Sequence, residues 1–204
     1  NNSINNLTIE GDNWLGGDDF DQKVVDRVVE WVKENYHIDP NGDKRFMAAA
    51  RQKAEETKRF LSASREVDLL IPSGLRLPNG ETVDINISIS QNEFNQWIAG
   101  DLEKCRKAVE RAMNDQELKP DDISCVLMVG GSTAIPQIHQ MMVDIFGPDR
   151  IRHHDDPMEV VAKGAAIVAA SMEGVEFPNQ NCRCVNSFEA ERCSKCETSL
   201  SSAL

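Results

Sequence analysis

The chain has 204 residues, with 22 Lys+Arg against 34 Asp+Glu and a formal net charge of -12. That length allows a real hydrophobic core in one large or two small domains. The acidic surface repels phosphate backbones and disfavours a general nucleic-acid role, and no apolar run approaches the roughly 18 residues of a membrane span.

The N-terminal Asn1-Asn-Ser-Ile-Asn-Asn-Leu7 carries neither a charged leader nor an apolar stretch, so the expectation is a cytoplasmic protein. There is no initiator methionine, and residues 7–10 read as the tail of a strand, so a piece of a longer protein is expected. After the loop Gly11-Asp-Asn-Trp-Leu-Gly-Gly17, a helix is predicted from Asp18 or Asp19. Acidic residues open it, and Phe20, Val24, Val28, Trp31 and Val32 recur at helical spacing. Asp39-Pro-Asn-Gly42 is a turn, and a second helix is predicted over about 44–63. Residues 65–71 and 82–90 read as an antiparallel pair, separated by Pro72-Ser-Gly74 and Pro78-Asn-Gly80. Ser90-x-x-Glu93 is a capping box that opens a long helix burying Phe94, Ile98, Leu102, Cys105, Val109 and Met113. A strand over 123–129 follows, with Cys125 expected inside it as a small buried hydrophobe, like Cys105.

Val126-Leu-Met-Val-Gly-Gly-Ser-Thr-Ala-Ile-Pro136 then breaks an apolar strand at two glycines and starts a helix at proline. Gly130 and Gly131 lack a Cβ, so a ligand can lie against bare backbone there. The following helix, to about Phe146, aims its free N–H groups into the same space. Open α/β sheets bind ligands in that crevice. Asp156-Pro157-x-Glu159 repeats the cap-plus-proline signature and starts a small-residue helix, Val160–Ser171, whose Gly164, Ala165, Ala166, Ala169 and Ala170 suit close packing. The class is mixed α/β. Two strands alone make a poor parallel sheet, so partner strands are expected from further sequence, from the N-terminal strand or from another chain.

Glu55, Lys58, Arg59 and Ser62 fall at i, i+3, i+4 and i+7 and share one helix face. Two readings stay open on spacing alone. One is a solvated face with a Glu55–Arg59 pair. The other is a nucleoside site, in which carboxylate and ammonium meet ribose hydroxyls and a guanidinium lies on the base.

Leu15-Gly-Gly-Asp-Asp-Phe-Asp21, Glu55-x-x-Lys-Arg-x-Leu-Ser62, the diglycine motif and Asp156-Pro-x-Glu-x-Val-Ala-x-Gly-Ala-Ala166 occur in this order. Together they closely resemble the nucleotide-binding domain of the seventy-kilodalton heat-shock chaperones (DnaK-like), within the actin-like ATPase superfamily. The resemblance covers about residues 8–172 and implies lobe II of that domain. Its core subdomain would span 1–20 and 118–173, with a helical and hairpin subdomain inserted over 21–117. It also implies adenosine contacts from Glu55, Lys58, Arg59 and Ser62. Gly130, Gly131, Ser132 and Ile135 would form the second wall of the adenine and α-phosphate site.

Ala134 stands where the family usually has an arginine that stacks on adenine, and Met158 where it usually has an acidic residue. The resemblance places the phosphate-binding loops and catalytic lysine upstream, so no catalytic residue is assigned here. The chain alone is expected to bind the adenosine side of ATP or ADP without hydrolysing it. The implied partners are the first lobe of the same domain and a nucleotide-exchange factor or other protein.

Cys182-x-Cys184 and Cys193-x-x-Cys196 are separated by eight residues. Four thiolates grouped two and two suit tetrahedral zinc, and the segment over 178–198 is similar to short zinc ribbons. Disulfides or loose thiols in a tail are the competing reading. A lobe followed by such a ribbon leaves a second function in play. There the lobe is a docking platform without catalysis, and the ribbon recruits a protein partner.

Overall fold

The computed structural model describes residues 5–12, 14–154, 156–171, 175–176 and 185–186. The chain divides into two compact units, 1–154 and 155–204. The class is mixed α/β, as the alternation of periods predicts.

In the first unit, α1 runs Gly17–Tyr36. The Asp19 carboxylate accepts from the Gly16 N–H at 2.7 Å, which satisfies one of the free donors at the helix start. Phe20, Val24, Val25, Val28, Val29 and Val32 make its buried face. After a 3-10 turn at Pro40–Gly42, α2 spans Lys44–Leu61. Asp43 caps it by accepting from the backbone N–H groups of Arg45 (2.9 Å) and Phe46 (3.1 Å). Phe46, Ala50, Ala54, Thr57 and Leu61 form its inner stripe.

That stripe packs on a hairpin of β1 (Glu66–Arg76) and β2 (Thr82–Ser90). Leu69, Ile71, Ile85, Ile87 and Ile89 point into the same core, the period-2 placement of a half-buried sheet. The predicted break at Pro72-Ser-Gly74 does not end β1. The strand continues to Arg76 with its register shifted between Ile71 and Leu75. Ser73 adopts a left-handed φ of 47°, and its N–H donates to the Asp84 carboxylate across the hairpin at 2.6 Å. That side-chain acceptor stands in for a ladder partner, which lets a bulge replace a turn.

Helix α3 (Gln91–Asp115) starts on the expected capping box. Ser90 Oγ accepts from the Glu93 N–H, and Glu93 accepts from the Ser90 N–H at 2.9 Å. Phe94 and Ile98 are buried, but Leu102, Cys105, Val109 and Met113 are only half-buried. Burial lifts the Cys105 thiol above its ordinary range, with Asp101 and Asp12 adding to the rise. The lower part of α3 borders a groove of about 480 Å³ that residues 5–8 and Glu10 also line.

Residues 7–10 are not a strand, contrary to expectation. Leu7 is 67% and Ile9 86% exposed, and among the described residues no strand pairs with this apolar alternation. The later strand is also shorter than predicted. β3 is Val126–Met128 and pairs in parallel with β4 (Ile151–His153), with α4 (Pro136–Phe146) between them in sequence. Cys125 is therefore exposed rather than buried. Among the described residues β3 has one neighbouring strand, and Leu127 and Val129 are exposed as well.

The second unit contains α5 (Val160–Ser171) and a short antiparallel pairing of β5 (Val175–Glu176) with β6 (Val185–Asn186). Near the start of α5, Lys163 lies 2.8 Å from Asp156 and 3.2 Å from Glu159. Met158, Val161 and Ile167 are each at least 70% exposed.

Candidate functional site

Glu55, Lys58 and Arg59 sit on the last two turns of α2, and Ser62 is its C-cap. Lys58 reaches from α2 to the start of α1, where its ammonium donates to the Gly17 carbonyl at 3.0 Å and to Asp21 Oδ2 at 2.9 Å. The Lys58 and Asp21 side chains keep only 13% and 15% of their exposure. Asp21 Oδ1 lies 2.8 Å from the same ammonium yet accepts no hydrogen bond and is buried.

Desolvation by burial raises the Asp21 carboxyl above its usual range. Lys58 pulls it back through hydrogen bond and charge, while Glu55 and Asp18 push it further up. An acid whose folded value lies above its unfolded one contributes most to stability under acidic conditions, and that contribution falls as pH rises through the folded value. The burial share of this shift works against the charged form at neutral pH, and the Lys58 ammonium offsets it.

The diglycine turn meets the stripe at the same place. A methyl built on Gly17 would sit 3.3 Å from Lys58 Nζ and 3.5 Å from Ser132 Oγ. A bare glycine thus leaves room for α2 and the turn after β3 to converge on one point. Gly130 has φ 86° and ψ 155°, a backbone conformation that a side chain strongly disfavours. A 3-10 turn, Gly131–Ala134, follows. Thr133 Oγ1 donates to the Gly130 carbonyl at 2.7 Å and braces the bend. Ile135, 2% exposed, packs in the core, so it anchors the turn rather than lining an open wall. Pro136 then opens α4.

The other stripe residues differ in availability. Glu55 and Arg59 are exposed, and no ion pair links them among the described residues, so the solvated-pair reading lacks its pair. Ser62 is half-buried and donates to the Lys58 carbonyl at 3.2 Å. Glu55 also borders a cleft of about 330 Å³ between α1 and α2, with Asp18, Asp21, Gln22, Arg51 and Gln52. Asp21, Gly17 and Asp18 were not among the residues assigned from sequence. Asp21 closes the Leu15–Asp21 motif, and one turn of helix separates it from Gly17. That spacing was the available signal.

Cys182, Cys184, Cys193 and Cys196 lie outside the described residues. Among the described residues, no three His, Cys, Asp or Glu side chains gather to hold a metal, and no helix is long and apolar enough to cross a membrane.

The sequence profile described as Hsp70 protein matches residues 4–181, most of the chain. The chain is 36% identical over 170 residues to the chaperone protein DnaK of Thermosipho africanus. It is 33% identical over 168 residues to that of Mycoplasmopsis agalactiae and over 174 residues to that of Mycoplasmopsis pulmonis. These alignments cover 82–85% of this chain and 28–29% of each relative, so the chain spans less than a third of the length of the relatives it matches.

Proposed function

The chain belongs to the Hsp70 protein family, and from that premise we propose that it forms the adenosine-binding half of the ATP cleft of a DnaK-type chaperone ATPase. Glu55 and Lys58 take the ribose hydroxyls, Arg59 and Ser62 the base, and the Gly130–Gly131–Ser132 backbone the opposite wall, which Ile135 holds from within the core. The observation that carries this reading is the convergence of Lys58 and Ser132 on Gly17, since it sets the α2 stripe and the diglycine turn side by side. Phosphoryl transfer depends on positioning and neutralising charge around the γ-phosphate. We assign that work to the first lobe of the same domain, with which this chain would close on ATP, and assign no catalytic residue here.

Ala134 removes a stacking cation from the base side. The loss is about 1–2 kcal/mol of nucleoside affinity, so binding by the chain alone is expected to be weak. Titration with ADP should shift the NMR signals of Lys58, Arg59 and Gly131. Lys58→Ala should raise Kd about tenfold, which corresponds to losing one charge-assisted hydrogen bond of about 1.4 kcal/mol. If millimolar ADP leaves those signals unmoved in a folded protein, the adenosine reading fails. The docking-platform reading, with an exchange factor or other protein as partner, then takes its place.

For the tail, the spacing of Cys182, Cys184, Cys193 and Cys196 supports one tetrahedral zinc. A ribbon this small has almost no core, so the metal would fold it. Protein purified without chelator should carry close to one equivalent of zinc, and Cys193→Ser should lose it. Full retention of zinc in that variant would refute the site.

A further inference from the structure

Away from the nucleotide region, two histidines face each other across the α4–β4 contact. His139 lies near the start of α4, and His153 is the last residue of β4. His139 Nδ1 and His153 Nε2 are 3.1 Å apart. Their rings stack with centroids 5.0 Å apart and planes inclined by 27°. His139 is half-buried and His153 exposed, so the pair lies at the protein surface.

Two neutral imidazoles so close must share one proton between two ring nitrogens, one donating and the other accepting. The same pair of lone pairs can instead face one cation. With metal–nitrogen bonds of about 2.0–2.1 Å, a separation of 3.1 Å subtends about 95–102° at the metal. That lies between the right angle of an octahedral site and the wider angle of a tetrahedral one, so neither ring must move far.

We propose that His139 and His153 form a two-imidazole clamp for a divalent transition metal of the nickel, copper or zinc type. Imidazole suits these ions, whereas magnesium and calcium prefer oxygen donors. On binding, the ring that donated the bridging proton takes its other tautomer, the proton passing through solvent to its remote nitrogen, so that both facing nitrogens offer lone pairs and water fills the remaining coordination positions. Affinity therefore falls as the solution acidifies, because protons compete for the same nitrogens. Bound metal ties α4 to β4, the strand that pairs with β3 just before the diglycine turn.

The test is a nickel(II) titration of the full chain, followed through the imidazole signals in long-range proton–nitrogen NMR spectra. The His139 and His153 signals should broaden first. His139→Gln and His153→Gln should each weaken nickel binding at that location at least tenfold, and His154→Gln should leave it unchanged. All variants keep the four tail cysteines, so any nickel held there is common to them. The wild-type spectrum decides by itself even if a variant folds poorly. Broadening of His154 ahead of His139 and His153, or unchanged affinity in both Gln variants, would overturn the clamp.

Discussion

Phe46→Ala is expected to lower the unfolding free energy of the first unit by about 3–5 kcal/mol, since the lost apolar transfer adds to the cavity left behind. Phe46 is fully buried in the third position of α2, and its backbone N–H is held by Asp43. The helix start cannot swing inward to fill the void without giving up that cap. The void would lie where the α2 stripe meets α1 and the hairpin, elements already in close contact, so partial collapse is resisted on several sides. In a unit of this size the midpoint temperature should fall by roughly 10 °C.

Trp31 and Trp97 are partly buried against this core, so their emission reports the transition. Trp14 is 88% exposed and contributes a nearly constant signal. Phe60→Ala is the control. Phe60 lies on the same helix but is 60% exposed, and its loss should cost no more than about 0.5 kcal/mol. Equal destabilisation by the two substitutions would show that the core does not depend on the α2 stripe.

What the sequence disclosed follows from which signals are local. Helix α4 runs Pro136–Phe146 as predicted because proline fits the first helical position and Gly147, with φ 83°, ends the helix. The Ser90–Glu93 capping box likewise needs only a four-residue window. Cys125 and residues 7–10 were misread for the opposite reason. Apolar periodicity shows which face seeks cover but not whether cover exists. The lower face of α3 makes the same point, since Val109 and Met113 border an open groove instead of a closed core.

At the candidate site, the stripe on α2 and the diglycine turn were both legible as motifs. Their meeting was expected only through the family resemblance, and its contact point at Gly17 was not legible. It depends on Lys58 spanning 41 positions in sequence to reach the Gly17 carbonyl, a long-range contact that no local period encodes. The Asp21–Lys58 pairing across α1 and α2 is likewise a consequence of helix packing, invisible until the helices are placed.

Asp101→Asn is the second large effect, expected to cost about 1–3 kcal/mol at neutral pH and to lose that cost in acid. Asp101 is 6% exposed. Its Oδ1 accepts from Lys104 at 2.7 Å, and its Oδ2 lies 3.5 Å from Lys23 of α1. The Lys104 hydrogen bond holds the carboxyl below its usual range. Burial opposes that, and the charge of Lys23 adds to the lowering. Both lysine side chains are more than a third exposed, so solvent screens their share and the lower half of the cost range applies at high salt.

The sign follows from linkage. A carboxyl whose folded value lies below its unfolded value gives its full stabilisation above the unfolded value, near 3.8. It loses that contribution as pH falls through the folded value. Asparagine keeps the shape but has no charge to titrate. Urea unfolding of both proteins should therefore show a clear gap at neutral pH that closes well below the carboxylate range. Asp21 has the opposite sign, so an Asp21→Asn variant should move the acid limb the other way. A gap between wild type and Asp101→Asn that is unchanged from neutral to strongly acidic solution would mean that shape, not charge, ties α3 to α1 at this position.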